Sequence, residues 1–228
     1  MSDSRRPSRS ENTRQALMRS AERLFAAQGH QSVTSRAIVE ASGQKNESAL
    51  QYHFGNREGL IREIHAHWTD EIGRLRDVML ESLPEDAGLQ DIVAFMVTPP
   101  FELGRTNPDF RRYIRAFGPD VVLSELPAIN AMLRERGAHE IPRLLQSELP
   151  QLSADALASR LDGAVRFASL SMAQHARQPN AFKGNGAQLF LHRLMDSLVG
   201  LLGVNASEAT RVLEKQTTEG IRGSSSAT

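Results

Sequence analysis

Residues 34–60 read TSRAIVEASGQKNESALQYHFGNREGL. This stretch is interrupted at Gly43 and again at Gly55, where helices are expected to break. Thr34 can cap a short helix before the first break, and Asn46 can cap another before the second. An apolar plug between the two helices is supplied by Ile38, Leu50 and Phe54. The spacing therefore predicts a helix-turn-helix.

The second helix of this pair has a polar outer face. Its outward positions hold Lys45, Asn46, Glu47, Ser48, Gln51 and Tyr52. A helix of this kind fits the major groove of DNA, where side chains near its N-terminus reach the base edges. Gln51 suits two contacts, a bidentate pair with adenine or a hydrogen bond to a phosphate.

Helices are also predicted on both sides of this pair. A first helix is expected over residues 11–28, because apolar side chains recur on one face from Leu17 to Phe25 and Gly29 follows as a C-cap. A long fourth helix is expected to begin at Arg57, because its apolar side chains keep helical spacing to about Ser82.

The chain from about residue 13 to residue 64 resembles the tetracycline-repressor (TetR) family of bacterial transcription regulators. The resemblance is carried by A-x-x-L-F-x-x-x-G at 21–29, T-x-x-x-I-x-x-x-x-G at 34–43, L-x-Y-H-F at 50–54 and basic-Glu-x-Leu at 57–60. Two features depart from the family pattern. One extra residue lies between Gly43 and Phe54, and Gln51 stands where the family usually has tyrosine.

The resemblance implies a set of DNA contacts. The residues expected at the DNA are Thr34, Arg36, Lys45, Asn46, Glu47, Ser48, Ala49, Gln51, Tyr52, His53 and Arg57. By resemblance, Thr34 and Arg57 hold phosphates, while Tyr52 and His53 contact phosphates or the groove wall. The N-terminal arginines Arg5, Arg6 and Arg9 suit either a flanking minor groove or a solvated tail.

The rest of the chain also has helical periodicity. Apolar side chains recur near 89–97, 109–117, 127–147, 153–177 and 187–203, and more weakly at 207–216. Prolines at 99–100, 108 and 119 are expected where helices begin or end. The prediction is an all-α protein with a flexible basic arm (1–10), a helix-turn-helix domain (11–56), a helical ligand-binding and dimerisation domain (57–216) and a disordered tail (217–228).

Two of the later helices carry wide apolar stripes. These stripes contain Leu157, Leu161 and Val165 in the first helix, and Leu191, Leu194, Met195, Leu198 and Leu202 in the second. The resemblance implies that these helices form a four-helix dimer interface, because the last two major helices of the body do so in family members. The alternative is that both stripes belong to the core of one subunit.

The body also offers candidates for a ligand pocket. Bulky or adaptable side chains expected there are Phe95, Phe101, Phe117, Met132, Phe167, Met172 and His175. An apolar pocket with a few polar groups is the usual form of a small-molecule site, and it suits a small apolar or amphipathic effector. For each residue taken alone, packing in the core is the alternative.

Composition excludes several other functions. The chain has 27 basic and 27 acidic residues, but residues 1–64 carry ten basic and seven acidic ones, which favours an anionic partner for this part. There is no cysteine, so disulfides and thiolate chemistry are excluded. No apolar run is long enough to span a bilayer. We expect a cytoplasmic protein that binds no metal or cofactor and is not an enzyme.

Together these features predict a homodimeric, ligand-responsive regulator. Its partners are expected to be a near-palindromic double-stranded operator, a second copy of the chain and a small effector, and repression is the expected sign of regulation. An all-helical, dimeric adaptor protein without operator specificity is the alternative.

Overall fold

Helices are the only regular secondary structure in residues 8–123 and 137–225, which are the residues that this computed structural model describes. The N-terminal part contains α1 (Arg9–Gln28), a 3-10 turn (His30–Ser32), α2 (Ser35–Ala41) and α3 (Ser48–Phe54). The rest contains α4 (Arg57–Glu81), α5 (Leu89–Thr106), α6 (Pro108–Leu123), α7 (Glu140–Glu148), α8 (Ala154–His175), α9 (Gly184–Gly203) and α10 (Glu208–Ser225). The predicted all-α class is confirmed.

Local capping explains where the N-terminal helices begin. The hydroxyl of Thr34 accepts a hydrogen bond from the backbone N–H of Ala37 at 3.2 Å, so the predicted cap of α2 is confirmed. The side chain of Asn56 caps α4 by accepting from the N–H of Gly59 at 2.7 Å. Gly43 has a positive φ of 76° in the turn between α2 and α3, a conformation that side chains other than glycine rarely adopt.

The structure moves two boundaries that the sequence predicted. Helix α1 begins at Arg9 because Ser8 caps it, so Arg9 belongs to the helix and not to a flexible arm. Arg5 and Arg6 lie outside the described residues. Helix α3 begins at Ser48, and the side chain of Asn46 accepts from the N–H of Ser48 at 3.0 Å, just ahead of the helix.

Three prolines expected at helix ends lie inside helices. Pro99 and Pro100 are within α5, and Pro119 is within α6. Proline has no N–H, so Pro100 leaves the carbonyl of Met96 without its usual intrahelical donor. The guanidinium of Arg76, on α4, donates to that carbonyl at 3.4 Å. A long-range contact therefore replaces a bond that the helix loses.

The C-terminal segment is more helical than its sequence predicts. Helix α10 continues to Ser225, whereas disorder was expected from residue 217. The hydroxyl of Ser207 caps this helix by accepting from the N–H of Thr210 at 3.2 Å, and no proline follows it in the sequence. Gly220 and Gly223 lower the helix propensity of the last turns but do not end the helix, and residues 226–228 lie outside the described range.

The apolar stripes of α8 and α9 are buried within the subunit. The prediction that they form a dimer interface is wrong for all eight residues, which are at most 9 % exposed: Leu157, Leu161, Val165, Leu191, Leu194, Met195, Leu198 and Leu202. Helix α8 packs against α6, and α9 packs against α5 and α8, so these faces form the core of one subunit. The close approach of α6 and α8 requires Gly118, where an added Cβ would lie 2.7 Å from that of Ala173.

Within the described ranges, no helix combines the length and the apolar character needed to cross a membrane.

Candidate nucleic-acid interface and internal cavity

The outer face of α3 and the turn before it project into solvent. Lys45, Asn46, Glu47, Ser48, Gln51 and Tyr52 are all exposed. Tyr52 is 82 % exposed, and its ring meets that of His53 edge-on at 5.0 Å. His53 and Ala49 are half-buried, whereas Leu50 and Phe54 pack inward as predicted. The polar face predicted for this helix therefore exists and is accessible to a partner.

The two predicted residues at the start of α2 also lie on the surface. Thr34 is exposed although its hydroxyl caps the helix. Arg36 is exposed and its Nε donates to the carboxylate of Glu40 at 2.9 Å, so a phosphate contact would compete with this ion pair.

Arg57 does not project toward the predicted interface. Its Nε donates to the carbonyl of Val33 at 3.0 Å, and one terminal nitrogen donates to the carbonyl of His30. Its other terminal nitrogen lies 3.7 Å from Glu58, and its guanidinium carbon lies 5.5 Å from the centre of the Phe25 ring. The expected phosphate contact is therefore corrected, because this arginine ties the turn after α1 to the start of α4.

A cavity of about 560 Å³ lies in the body between α4, α5, α6 and α8. Its described wall comprises Arg62, His65, Ala66, Thr69, Ile72, Arg76, Met96, Val97, Pro100, Phe110, Tyr113, Ile114, Phe117, Gly118, Val165, Ala168, Ser169 and Met172. Its size is within the range typical of small-molecule sites. Two of the predicted pocket residues, Phe117 and Met172, are in this wall.

The other predicted pocket residues lie elsewhere. Phe95 is fully buried beneath the guanidinium of Arg76, and Phe101 packs beside the ring of Phe182 at 5.7 Å. His175 stacks parallel to Phe190 at 3.7 Å, and burial lowers its pKa. Phe167 is 41 % exposed on the outer side of α8. Met132 lies outside the described residues. Phe167 and His175 line a second, shallower pocket on the outer side of α8 and α9. Helical spacing does not reveal which apolar face borders a cavity, and this is why Phe95 and Phe101 were expected in the wall.

A polar stripe on α4 was missed by the sequence analysis. Arg62, His65, Thr69 and Arg76 all line the cavity from this helix. The ring nitrogen Nδ1 of His65 is 3.0 Å from the hydroxyl of Tyr113 across the cavity edge. The sequence does indicate this stripe, because polar residues recur at helical spacing on the face of α4 that also carries Ile72.

Comparison with known proteins identifies the N-terminal part. The sequence profile described as "Bacterial regulatory proteins, tetR family" matches residues 17–64. The N-terminal domain belongs to the TetR family. The match includes α2, α3 and the turn between them, so the exposed face of α3 is the outer face of a TetR-family helix-turn-helix.

Named relatives support this assignment, and a solved structure shares the fold of the chain. The HTH-type transcriptional repressor AcnR of Corynebacterium efficiens is 34 % identical over 106 residues, covering 44 % of this chain and 55 % of that protein. AcnR of Corynebacterium glutamicum is 30 % identical over 89 residues, covering 39 % and 43 %. The matched part thus spans about half the length of these relatives. Salmonella enterica GusR shares the fold at a TM-score of 0.50 and 19 % identity, with 88 % of this chain and 100 % of that chain covered.

An aromatic cluster joins the TetR domain to the cavity. Phe117 in the cavity wall meets Phe25 of α1 edge-on at 5.7 Å and lies 5.5 Å from the ring of His30. The Nδ1 of His30 is also 3.3 Å from the carboxylate of Asp120 on α6. On the cavity side, His65 lies 4.7 Å from Phe117. Phe117 therefore borders both the cavity and the N-terminal domain.

Within residues 8–123 and 137–225, no three His, Asp or Glu side chains are grouped so that they could hold a metal ion.

Proposed function

We propose that this protein is a homodimeric transcription regulator, acting as a repressor, whose binding to an operator responds to a small molecule. The single observation that carries the proposal is the exposed polar face of α3 within a TetR-family domain. The names of the two relatives, both transcriptional repressors, support the same reading. In this proposal the protein is not an enzyme and acts in the cytoplasm, where the operator is.

The proposed DNA contacts follow from exposure. Lys45 to Ser48 and Gln51 lie where an inserted helix meets base edges, and Tyr52 lies where it meets the groove wall or a phosphate. The proposal keeps Thr34, Arg36 and His53 near the phosphates and leaves Arg57 out, because its guanidinium is engaged within the domain. In this proposal the helix-turn-helix domain ends at residue 56 and the ligand-binding and dimerisation domain begins at residue 57, because α4 begins at Arg57.

The proposed dimer interface is the outer side of α8 and α9. Phe167, Leu170 and Leu189 are 41 %, 37 % and 51 % exposed there, which is unusual for large apolar side chains. Space is open in front of Gly163 and Gly200, where an added Cβ would meet nothing within 4 Å. A two-fold axis brings the same patch of each copy together, so an apolar face with small residues suits a second copy of this chain.

The proposed dimer interface can be tested by a substitution on α9. Leu189→Glu is expected to convert the dimer to a monomer at micromolar concentration, because each interface would then bury two carboxylates without partners. Sedimentation velocity measures the mass. Val78→Glu, which changes a 65 % exposed residue on α4, is the matched control and should stay dimeric. A wild-type protein that sediments as a monomer would disprove this interface.

The ligand response is proposed to pass through the aromatic cluster. A molecule that fills the cavity contacts Phe117, which packs against Phe25 and His30 of the DNA-binding domain. Two domains of a dimer bind two half-sites only at one separation. A ligand that prefers a different separation weakens operator binding by its differential affinity, typically about 1–3 kcal/mol.

Operator binding is the experiment that tests the function. We expect the protein to bind the DNA upstream of its own gene about a thousandfold more tightly than random DNA, measured by fluorescence anisotropy at two salt concentrations. Gln51→Ala should lower operator affinity about tenfold or more and leave binding to random DNA nearly unchanged. Gln216→Ala, at an exposed glutamine of α10, is the matched control.

The outcomes separate the proposal from its alternative. Equal and steeply salt-dependent binding to both DNAs would keep a DNA-binding protein whose operator lies elsewhere. Absence of salt-dependent binding to any DNA would overturn the proposal in favour of an adaptor protein.

A further inference from the structure

The described wall of the cavity is basic. It contains two arginines, Arg62 and Arg76, and the polar side chains of His65, Thr69, Tyr113 and Ser169. None of its described residues is Asp, Glu or Lys. Guanidinium groups without a carboxylate among the described wall residues favour an anionic group on the ligand, because the low polarity of a cavity strengthens electrostatic interactions.

The polar and apolar parts of this wall lie on different helices. Both arginines, with His65 and Thr69, project from α4. The facing surfaces on α5, α6 and α8 are mainly apolar and include Val97, Ile114 and Met172. The cavity therefore suits a molecule with one polar end and one apolar body.

Arg62 is the cation most accessible to an incoming molecule. It is exposed although it lines the cavity, so it lies where the cavity meets solvent. The acidic residues beside it in sequence have other partners, since Glu58 lies 3.7 Å from Arg57 and Glu63 is paired with Arg14. Within the described ranges, no carboxylate forms an ion pair with Arg62.

Arg76 is the buried arginine of the wall. It is 1 % exposed, its guanidinium donates to the carbonyl of Met96, and its guanidinium carbon lies 5.9 Å from the centre of the Phe95 ring. These contacts fix the position of the guanidinium beside the cavity. Arg62 and Arg76 lie fourteen residues apart on one helix, about four turns, so the basic stripe runs along the length of the cavity.

We propose that the effector is an organic anion with an apolar body, and that its acid group is bound by the α4 side of the cavity. This inference rests on the proposed function and names the chemical class of its ligand. A carboxylate can accept a charge-assisted, bidentate hydrogen bond from Arg62, and its apolar body is buried against α5, α6 and α8. An amine of the same shape would meet the like charge of two arginines and no carboxylate among the described wall residues.

Ligand binding in the cavity can be measured by the intrinsic fluorescence of the protein. Trp68 is its only tryptophan, and its ring lies 5.1 Å from that of Phe110 in the cavity wall. Phenylbutyrate, phenylbutanol and phenylbutylamine share one apolar body and differ in the charge of the head group. Titration of the full chain with each, without DNA, is followed by Trp68 fluorescence and repeated by calorimetry. We expect the acid to bind at least about tenfold more tightly than the alcohol and the amine.

Variants then locate the acid group. Arg62→Gln should weaken binding of phenylbutyrate about fivefold or more and leave binding of phenylbutanol within about twofold. Arg74→Gln is the matched control, because Arg74 is on α4 but is 60 % exposed and paired with Asp70 and Glu71 outside the cavity. It should leave all three affinities unchanged. Because Arg62 is exposed, its replacement is not expected to prevent folding.

Four outcomes would overturn the inference. These are equal or tighter binding of the amine, equal binding of the acid and the alcohol, no binding of any of the three compounds up to their solubility, and equal effects of Arg62→Gln and Arg74→Gln. The proposed function is tested separately by operator binding. If the anion binds but operator affinity is unchanged, ligand-responsive regulation is contradicted and the anion site stands. If the protein binds its operator specifically but prefers the amine, the proposed function stands and the anion site is contradicted.

Discussion

Phe25→Ala is expected to lower the free energy of unfolding by about 3–5 kcal/mol and to abolish operator binding at the same protein concentration. Phe25 belongs to α1 of the N-terminal domain, is 1 % exposed and packs against the body. Its ring meets that of Phe117 at 5.7 Å, and the guanidinium of Arg57 lies over it at 5.5 Å. Removing the ring leaves a void between α1, α4 and α6, which these helices cannot fill without moving.

The measurement is urea unfolding at a fixed protein concentration, followed by Trp68 fluorescence, because dimer formation makes stability depend on concentration. Tyr52→Ala is the matched control, since Tyr52 is an aromatic residue of the same domain but is 82 % exposed. It should change stability by no more than about 0.5 kcal/mol while still weakening DNA binding. If Phe25→Ala unfolds within about 1 kcal/mol of the wild type, the aromatic cluster is not what joins the domains.

The N-terminal domain was predictable from the sequence because its signals are local. The caps at Thr34 and Asn56 act within three residues of their own positions, and the positive φ of Gly43 is a property of one residue. The exposed face of α3 follows from the inward spacing of Leu50 and Phe54. Such features need no knowledge of the rest of the fold.

The body was less predictable because its decisive contacts join distant residues. Periodicity marked the stripe containing Leu198 as apolar, but it did not reveal whether the stripe faces another helix of the subunit or a second copy. The exposed Leu189, on the other side of α9, is the residue that an interface would use. Likewise, Pro100 is tolerated inside α5 because Arg76, 24 residues earlier, donates to the carbonyl of Met96.

The residues of the cavity wall were hard to predict for the same reason. Its wall is assembled from four helices, so membership depends on how those helices are rotated against one another. Phe117 was identified, whereas Phe95 and Phe101 were also expected in the wall and pack elsewhere. The polar residues of α4 were missed because a charged residue such as Arg76 is expected on a solvent-facing side, and burial of its guanidinium becomes evident only in three dimensions.

Glu22→Gln is expected to make the protein more stable than the wild type above neutral pH. Glu22 lies on α1, is 3 % exposed, and accepts a hydrogen bond from the indole N–H of Trp68 on α4. Burial raises the pKa of Glu22 to about 7, and the nearby carboxylate of Asp109 acts in the same direction. The bond from Trp68 and the charges of Arg112 and Arg19 lower the pKa but do not compensate for the lost hydration.

The direction of the pH effect follows from this raised pKa. The folded protein holds the proton of Glu22 more tightly than the unfolded chain, in which the pKa is near the ordinary value of 4.5. The resulting stabilisation is fully present below about pH 4.5 and is lost as the pH rises through about 7. Above that pH the ionised, buried carboxylate costs about 3 kcal/mol relative to an ordinary glutamate.

Glutamine removes this cost because it stays neutral at every pH, and its side-chain oxygen can still accept the hydrogen bond from Trp68. The stability of Glu22→Gln minus that of the wild type should therefore increase by about 2–3 kcal/mol between about pH 5 and about pH 8, measured by urea unfolding at constant ionic strength. Glu81→Gln, at an exposed position near the end of α4, should show no such increase. A difference that stays constant with pH would mean that Glu22 is hydrated or paired in solution, and that α1 and α4 pack less closely around it than the contact with Trp68 indicates.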